Sequence, residues 1–153
     1  METIMMSRSD GINVVTEAEL SASLGAMMRV LSSSGYGTIS INAALHQLIV
    51  PVRLRQYTLL TDNRNQPAAF ATWAFFQHAS ENQIKADPYC LLHPSQWNEG
   101  SRAWIVHLYA KDLRYVRPLG SKIISAMPVD AKTINWVRQK KDGRTVCRSL
   151  IFK

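Results

Sequence analysis

At 153 residues the chain suits one domain, and its 46% hydrophobic and 19% charged residues are globular values that argue against long disorder. No run reaches the roughly eighteen consecutive apolar residues of a membrane span, and the start, METIMMSRSDGINVV, has neither the basic flank nor the apolar core of a secretory signal, so a cytoplasmic protein is expected. The net charge of +7 is uneven: residues 1 to 101 carry six Lys or Arg against eight Asp or Glu, and residues 102 to 153 twelve against three, which leaves the last third at +9.

A basic surface on that third implies an acidic partner, which nucleic acid, anionic lipid or an acidic protein would each satisfy; the plain alternative is a solvated face. Cys90 and Cys147 stand in no CxxC or metal-ligand spacing and read as reduced structural thiols.

In chain order, residues 1 to 15 show no periodicity and are expected to be a loose arm before a domain over 16 to 153. Thr16 and Glu19 form a capping box. Leu20, Leu24, Met27 and Leu31 then share one face of a helix that should end in Ser32 to Gly35. Met27 and Met28 read as core. Ser40 caps a second helix through Ile41, Ala44, Leu45, Leu48 and Ile49, which Pro51 should bend or break. His46 on that helix reads as a surface or boundary residue, and Arg53 and Arg55 begin a basic group that could line an anion site.

Tyr57 to Thr61 and Ala68 to Phe75 form a hairpin across DNRNQP. A short helix is expected from Ser80 and Glu81 through Ile84, ended by Asp87 and Pro88. His78 and His93 fall near loops without evident partners. The stretch WNEGSRAWIVHL, Trp97 to Leu108, is a polar turn running into a strand, Ala103 to Tyr109, which holds His107 in an apolar run. A lone histidine there is more often a hydrogen-bonded core residue than a catalyst. An amphipathic helix follows over Asp112 to Met127 with Leu113, Val116, Ile123, Ile124 and Met127, despite Pro118 and Gly120. A second hairpin, Ile134 to Gln139 and Thr145 to Phe152, turns on Asp142 and Gly143. The order predicts a single α/β domain with a mainly antiparallel sheet flanked by helices.

No GxGxxG or GxxxxGK[ST], HExxH, cysteine cluster or GxSxG occurs, so no nucleotide loop, metal site or nucleophile elbow is indicated. The serines Ser32 to Ser34 read as helix-terminating.

The run RLRQYTLLTDNRNQPAAFATWA, Arg53 to Ala74, with WNEGSRAWIVHL and MPVDAKT, Met127 to Thr133, resembles the RTX toxin-activating lysine acyltransferases. That family has a QYxLLT strand, a turn ending in Pro, an SWA strand, a WxxGxRxW element and a VDPKT segment. The resemblance runs from about Leu24 to the C-terminus. It implies a GNAT-like acyltransferase fold and transfer of a fatty acyl group from acyl carrier protein to a lysine of a toxin-like protein, with no bound cofactor. The carrier is strongly acidic, which suits the +9 third. A homodimer stays open.

The family is thought to use a His near the end of the first helix and an Asp after WxxGxRxW. Here Tyr36, or Gly37, falls at the first position and His107 at the second, while Gln47 falls at a polar position of the second helix. The resemblance thus implies His107 as base and the Tyr36 hydroxyl as donor or relay, with Gln47, Arg53, Arg102 and Trp104 toward the substrate. The alternatives are an inactive binding or regulatory protein on the same fold and, last, nucleic-acid binding through Trp136, Arg138, Lys140 and Lys141.

Overall fold

The protein is described by a computed structural model, which covers residues 14–34 and 39–152. Residues 1–13 of the expected arm and Tyr36 with its neighbour Gly37 lie outside the described residues; of the arm's last two residues Val14 is exposed and Val15 packs against the cluster of Leu20, Met27 and Val30. The elements run α1 (Glu17–Ser33), α2 (Ile41–Arg53), β1 (Tyr57–Thr61), β2 (Pro67–Phe76), α3 (His78–Ala86), β3 (Arg102–Ala110), α4 (Val116–Ala126), β4 (Thr133–Gln139) and β5 (Thr145–Ile151). The strands form one sheet in the order β1-β2-β3-β4-β5, antiparallel except where β3 meets β4. The expected single α/β domain with a mainly antiparallel sheet is what is found, and it is consistent with a GNAT-like acyltransferase fold.

Local chemistry accounts for the helix starts. Thr16 accepts from the Glu19 N–H at 3.1 Å and the Glu19 carboxylate accepts from the Thr16 N–H at 2.8 Å, closing the capping box. Ser40 Oγ accepts from the Ala43 N–H and starts α2.

Even-numbered residues of β2 face one side of the sheet and odd-numbered ones the other, as the two-residue period of a strand requires. Phe70 packs with Leu20, Met27 and Val30 of α1 and Leu48 and Val52 of α2. On the same side Ala74 and Phe76 pack with Ile84, Leu92, Trp97 and Trp104. Ala69, Ala71 and Trp73 pack on the opposite side with Leu119 and Ile123 of α4 and with Ile134. Methionine 27 is fully buried and Met28 packs at the edge of that cluster, so both belong to the core.

Four expectations need correction. Pro51 does not break α2, which continues to Arg53. Its missing N–H costs the bond to the Gln47 carbonyl, but Pro51 and Val52 are buried and the Leu54 N–H still reaches Val50 O at 3.0 Å. The short helix starts at His78, two residues early, with Gln77 at its cap. Asp112 to Met127 is not one helix: a 3-10 turn over Leu113–Tyr115 precedes α4. Pro118 then sits in the first turn of α4, where N–H groups have no acceptor within the helix. Finally, Ile41 and Leu113 are exposed at 66% and 87%, so neither belongs to the core face expected of it.

Candidate active site

The stretch before β3 is shaped by one glycine. A 3-10 turn, Pro94–Trp97, is capped by His93 and fully buries Trp97. The loop then folds back so that the Glu99 and Gly100 N–H groups both donate to Phe75 O, at 3.1 and 2.9 Å. A side chain at Gly100 would collide with the backbone carbonyl of Phe76, which explains the glycine of the motif.

Arg102 opens β3, which pairs with β2 from Phe76↔Arg102 to Thr72↔His107 and on to Ala69↔Ala110, with a shift between Thr72 and Trp73. Thr72 lies opposite His107 and Trp73 opposite Ile105, so Val106 is an extra residue, a β-bulge. In regular alternation Trp104 and His107, three apart, would face opposite sides. The bulge turns both toward α1, α2 and α3.

His107 Nδ1 lies 2.7 Å from the hydroxyl of Thr72, itself fully buried. The imidazole sits between the rings of Trp97, at 6.0 Å, and Tyr109, at 6.3 Å. Burial pushes its pKa down from 6.5 to about 4, so it is neutral at pH 7. Thr72 occupies Nδ1, and Nε2 has no hydrogen-bond partner among the described residues. The buried indole N–H of Trp97 has no acceptor among the described residues.

On the other side of β3 the sheet opens. Strand β4 is parallel to β3 and pairs with it only at Trp104↔Asn135, where Asn135 Nδ2 donates to Ala103 O at 3.2 Å. Beyond that bridge a cavity of about 460 Å³ separates the strands. Ile105, Val106 and Leu108 of β3, Ile123 of α4 and Ile134 and Trp136 of β4 are among its walls, and Arg138 is at its edge. It is a largely apolar slot of the size that takes a small ligand. Val106 lines the slot and also packs against the cluster of Trp97 and Trp104, beside the ring of His107, so the bulge joins the slot to the histidine.

The remaining residues singled out from sequence are dispersed. Arg102 pairs at 3.1 Å with Glu81, a buried carboxylate that also holds Lys85 at 3.2 Å and His78 at 3.6 Å. Trp104 is buried with Phe76 on the α3 side, with Lys85 Nζ 5.5 Å from its ring. The Gln47 amide bonds both backbone groups of Leu92, each at 3.4 Å, and is buried. Arg53 is at the exposed end of α2, 3.8 Å from Glu17. Sequence reasoning missed Thr72, hidden in an apolar strand, and the slot. The MPVDAKT and WNEGSR segments, which the sequence singled out separately, meet: Asn98, Gly100 and Ser101 line a polar cavity with Asp130 and Lys132. No cluster of three or more His, Cys, Asp or Glu suited to a metal occurs among the described residues.

Residues 16–152 match the model of a family described as the RTX toxin acyltransferase family. No curated protein matches the chain.

Proposed function

The chain belongs to the RTX toxin acyltransferase family, and from that premise we propose that it moves a fatty acyl group from acyl carrier protein to a lysine of a toxin-like protein. The observation that carries this reading is the apolar slot between β3 and β4, which suits an alkyl chain and adjoins the bulge that holds His107. In the reaction the lysine amine attacks the thioester carbonyl, the new C–N bond forms, the C–S bond breaks and the amine proton passes to the leaving sulfur.

His107 is the proton carrier in this scheme. With a pKa of about 4 it is too weak a base for a resting lysine ammonium of pKa about 10.4. It suits a proton that becomes acidic as the C–N bond forms, when the amine nitrogen gains positive charge. Thr72 holds the ring in one orientation through Nδ1. The Tyr36 hydroxyl assists as donor or relay. Backbone N–H groups on the β3 edge that β4 leaves unpaired are donors for the oxyanion. Gln47, Arg53, Arg102 and Trp104 act toward substrate through the elements they fix.

A binding-only role draws on one observation, the same depressed basicity of His107. The two separate in an assay with acyl carrier protein loaded with a panel of acyl chains and a toxin-like acceptor, followed by intact mass. Acyl transfer predicts a mass gain of one acyl group, lost in His107→Ala. Thr72→Val should lower kcat by about tenfold, the order of one hydrogen bond, with KM unchanged. No product across the whole panel would remove the acyltransferase reading.

A further inference from the structure

The two most basic segments of the chain meet at one end of the fold. Because β3 and β4 run parallel, the segment that follows β3 and the turn that follows β4 emerge at the same edge of the sheet. The first carries Lys111, Arg114 and Arg117, the second Arg138, Lys140, Lys141 and Arg144. Carboxylates there neutralise three of these: Asp62 pairs with Lys111, Asp112 with Arg114 and Asp142 with Arg144. Arg117, Arg138, Lys140 and Lys141 are exposed and pair with no carboxylate among the described residues. The apolar slot lies between the two segments: Leu113 and Val116 line it on one side, and Trp136, Val137 and Arg138 on the other.

We propose that this end of the molecule is the docking surface for an acidic carrier protein, seated on Arg117, Arg138, Lys140 and Lys141 so that its acyl chain enters the slot between β3 and β4. The inference rests on the acyl-transfer reading for the identity of the cargo. The surface itself rests on charge complementarity: four unneutralised cations stand on the two segments that flank an apolar slot, Arg138 in its wall and Arg117 next to the lining residue Val116. An anionic protein carrying an alkyl chain matches both features, whereas a nucleic acid matches only the charge. Rim charges of this kind speed encounter and set salt dependence, while the buried chain holds the complex.

The test is binding of fluorescent acyl carrier protein, with and without a hexadecanoyl chain, to the full chain at low and high salt. Lys140→Glu/Lys141→Glu and Arg117→Glu/Arg138→Glu are compared with a control of equal charge change, Lys122→Glu/Lys132→Glu, at exposed positions in the second half of α4 and before the start of β4. Each rim double variant should raise Kd by about tenfold or more at low salt, the control should stay near wild type, and the acyl chain should tighten wild-type binding. Thermal melts confirm that these exposed changes leave the fold intact. Unchanged binding in both rim variants, equal loss in the control, or wild type that prefers a DNA duplex to the carrier would overturn the proposal. Transfer from a small acyl-pantetheine thioester separates the two readings. If it persists in the rim variants while carrier binding is lost, the surface stands. If wild type binds the carrier but transfers from neither donor, only the acyl-transfer reading fails.

Discussion

His107 shows how far a single residue can be understood from sequence. Its placement in an apolar strand left two readings open, a satisfied core histidine or a member of the site, and the structure joins features of both. Thr72 satisfies Nδ1, yet the ring adjoins the bulge beside the slot. Thr72 was not legible, because cross-strand pairing and its one-residue shift are not written in either strand alone. The depressed pKa has a sign that can be tested. Between about pH 6.5 and pH 4 the unfolded chain binds a proton at this position that the folded chain does not. Stability from the neutral ring is therefore complete above pH 6.5 and falls as pH drops toward 4, by up to about 3 kcal/mol. The difference in urea unfolding free energy between wild type and His107→Gln should be flat above pH 6.5 and shrink below it. A difference that stays constant down to pH 4 would show a solvated imidazole.

At the scale of elements, the signals that held were those whose physics is local. A capping box, two hairpin turns and a serine cap fixed α1, β1-β2, β4-β5 and the start of α2 to within a residue or two. The misplaced features were Pro51 inside α2, the starts of α3 and α4, and two exposed apolar residues, where packing or position in a helical turn outweighs propensity. Gly100 illustrates an element held by contact rather than by turn conformation, since its neighbour in space is the backbone of Phe76. Gly100→Ala should push the loop off the end of β2 and lose the paired bonds to Phe75 O. A cost of about 2 to 3 kcal/mol is expected, visible as a lower melting temperature. Gly120→Ala is the contrast: open space surrounds that position on α4, and replacing a mid-helix glycine gains up to about 1 kcal/mol. Equal melting temperatures for the two variants would contradict this account of the motif glycine.

At the scale of the whole molecule, charge and topology combine into something neither states alone. The excess of +9 over residues 102 to 153 is plain in the sequence. Its concentration around one opening is not, because it depends on β4 lying parallel to β3 and leaving it after one bridge. The same parting creates the slot, whose walls come from β3, α4, β4 and β5 together. Gly120 lies in that wall with room beside it, so its substitution tests the slot without disturbing the core. Gly120→Leu places a branched side chain where the alkyl chain is proposed to lie, and each methylene excluded from an apolar site removes about 0.8 kcal/mol of binding. Transfer of long chains should therefore fall by about tenfold or more while short chains are transferred as by wild type, read as kcat/KM across the acyl panel. Uniform loss at every length would point to a general disturbance of α4. An unchanged length profile would place the acyl chain outside the gap between β3 and β4.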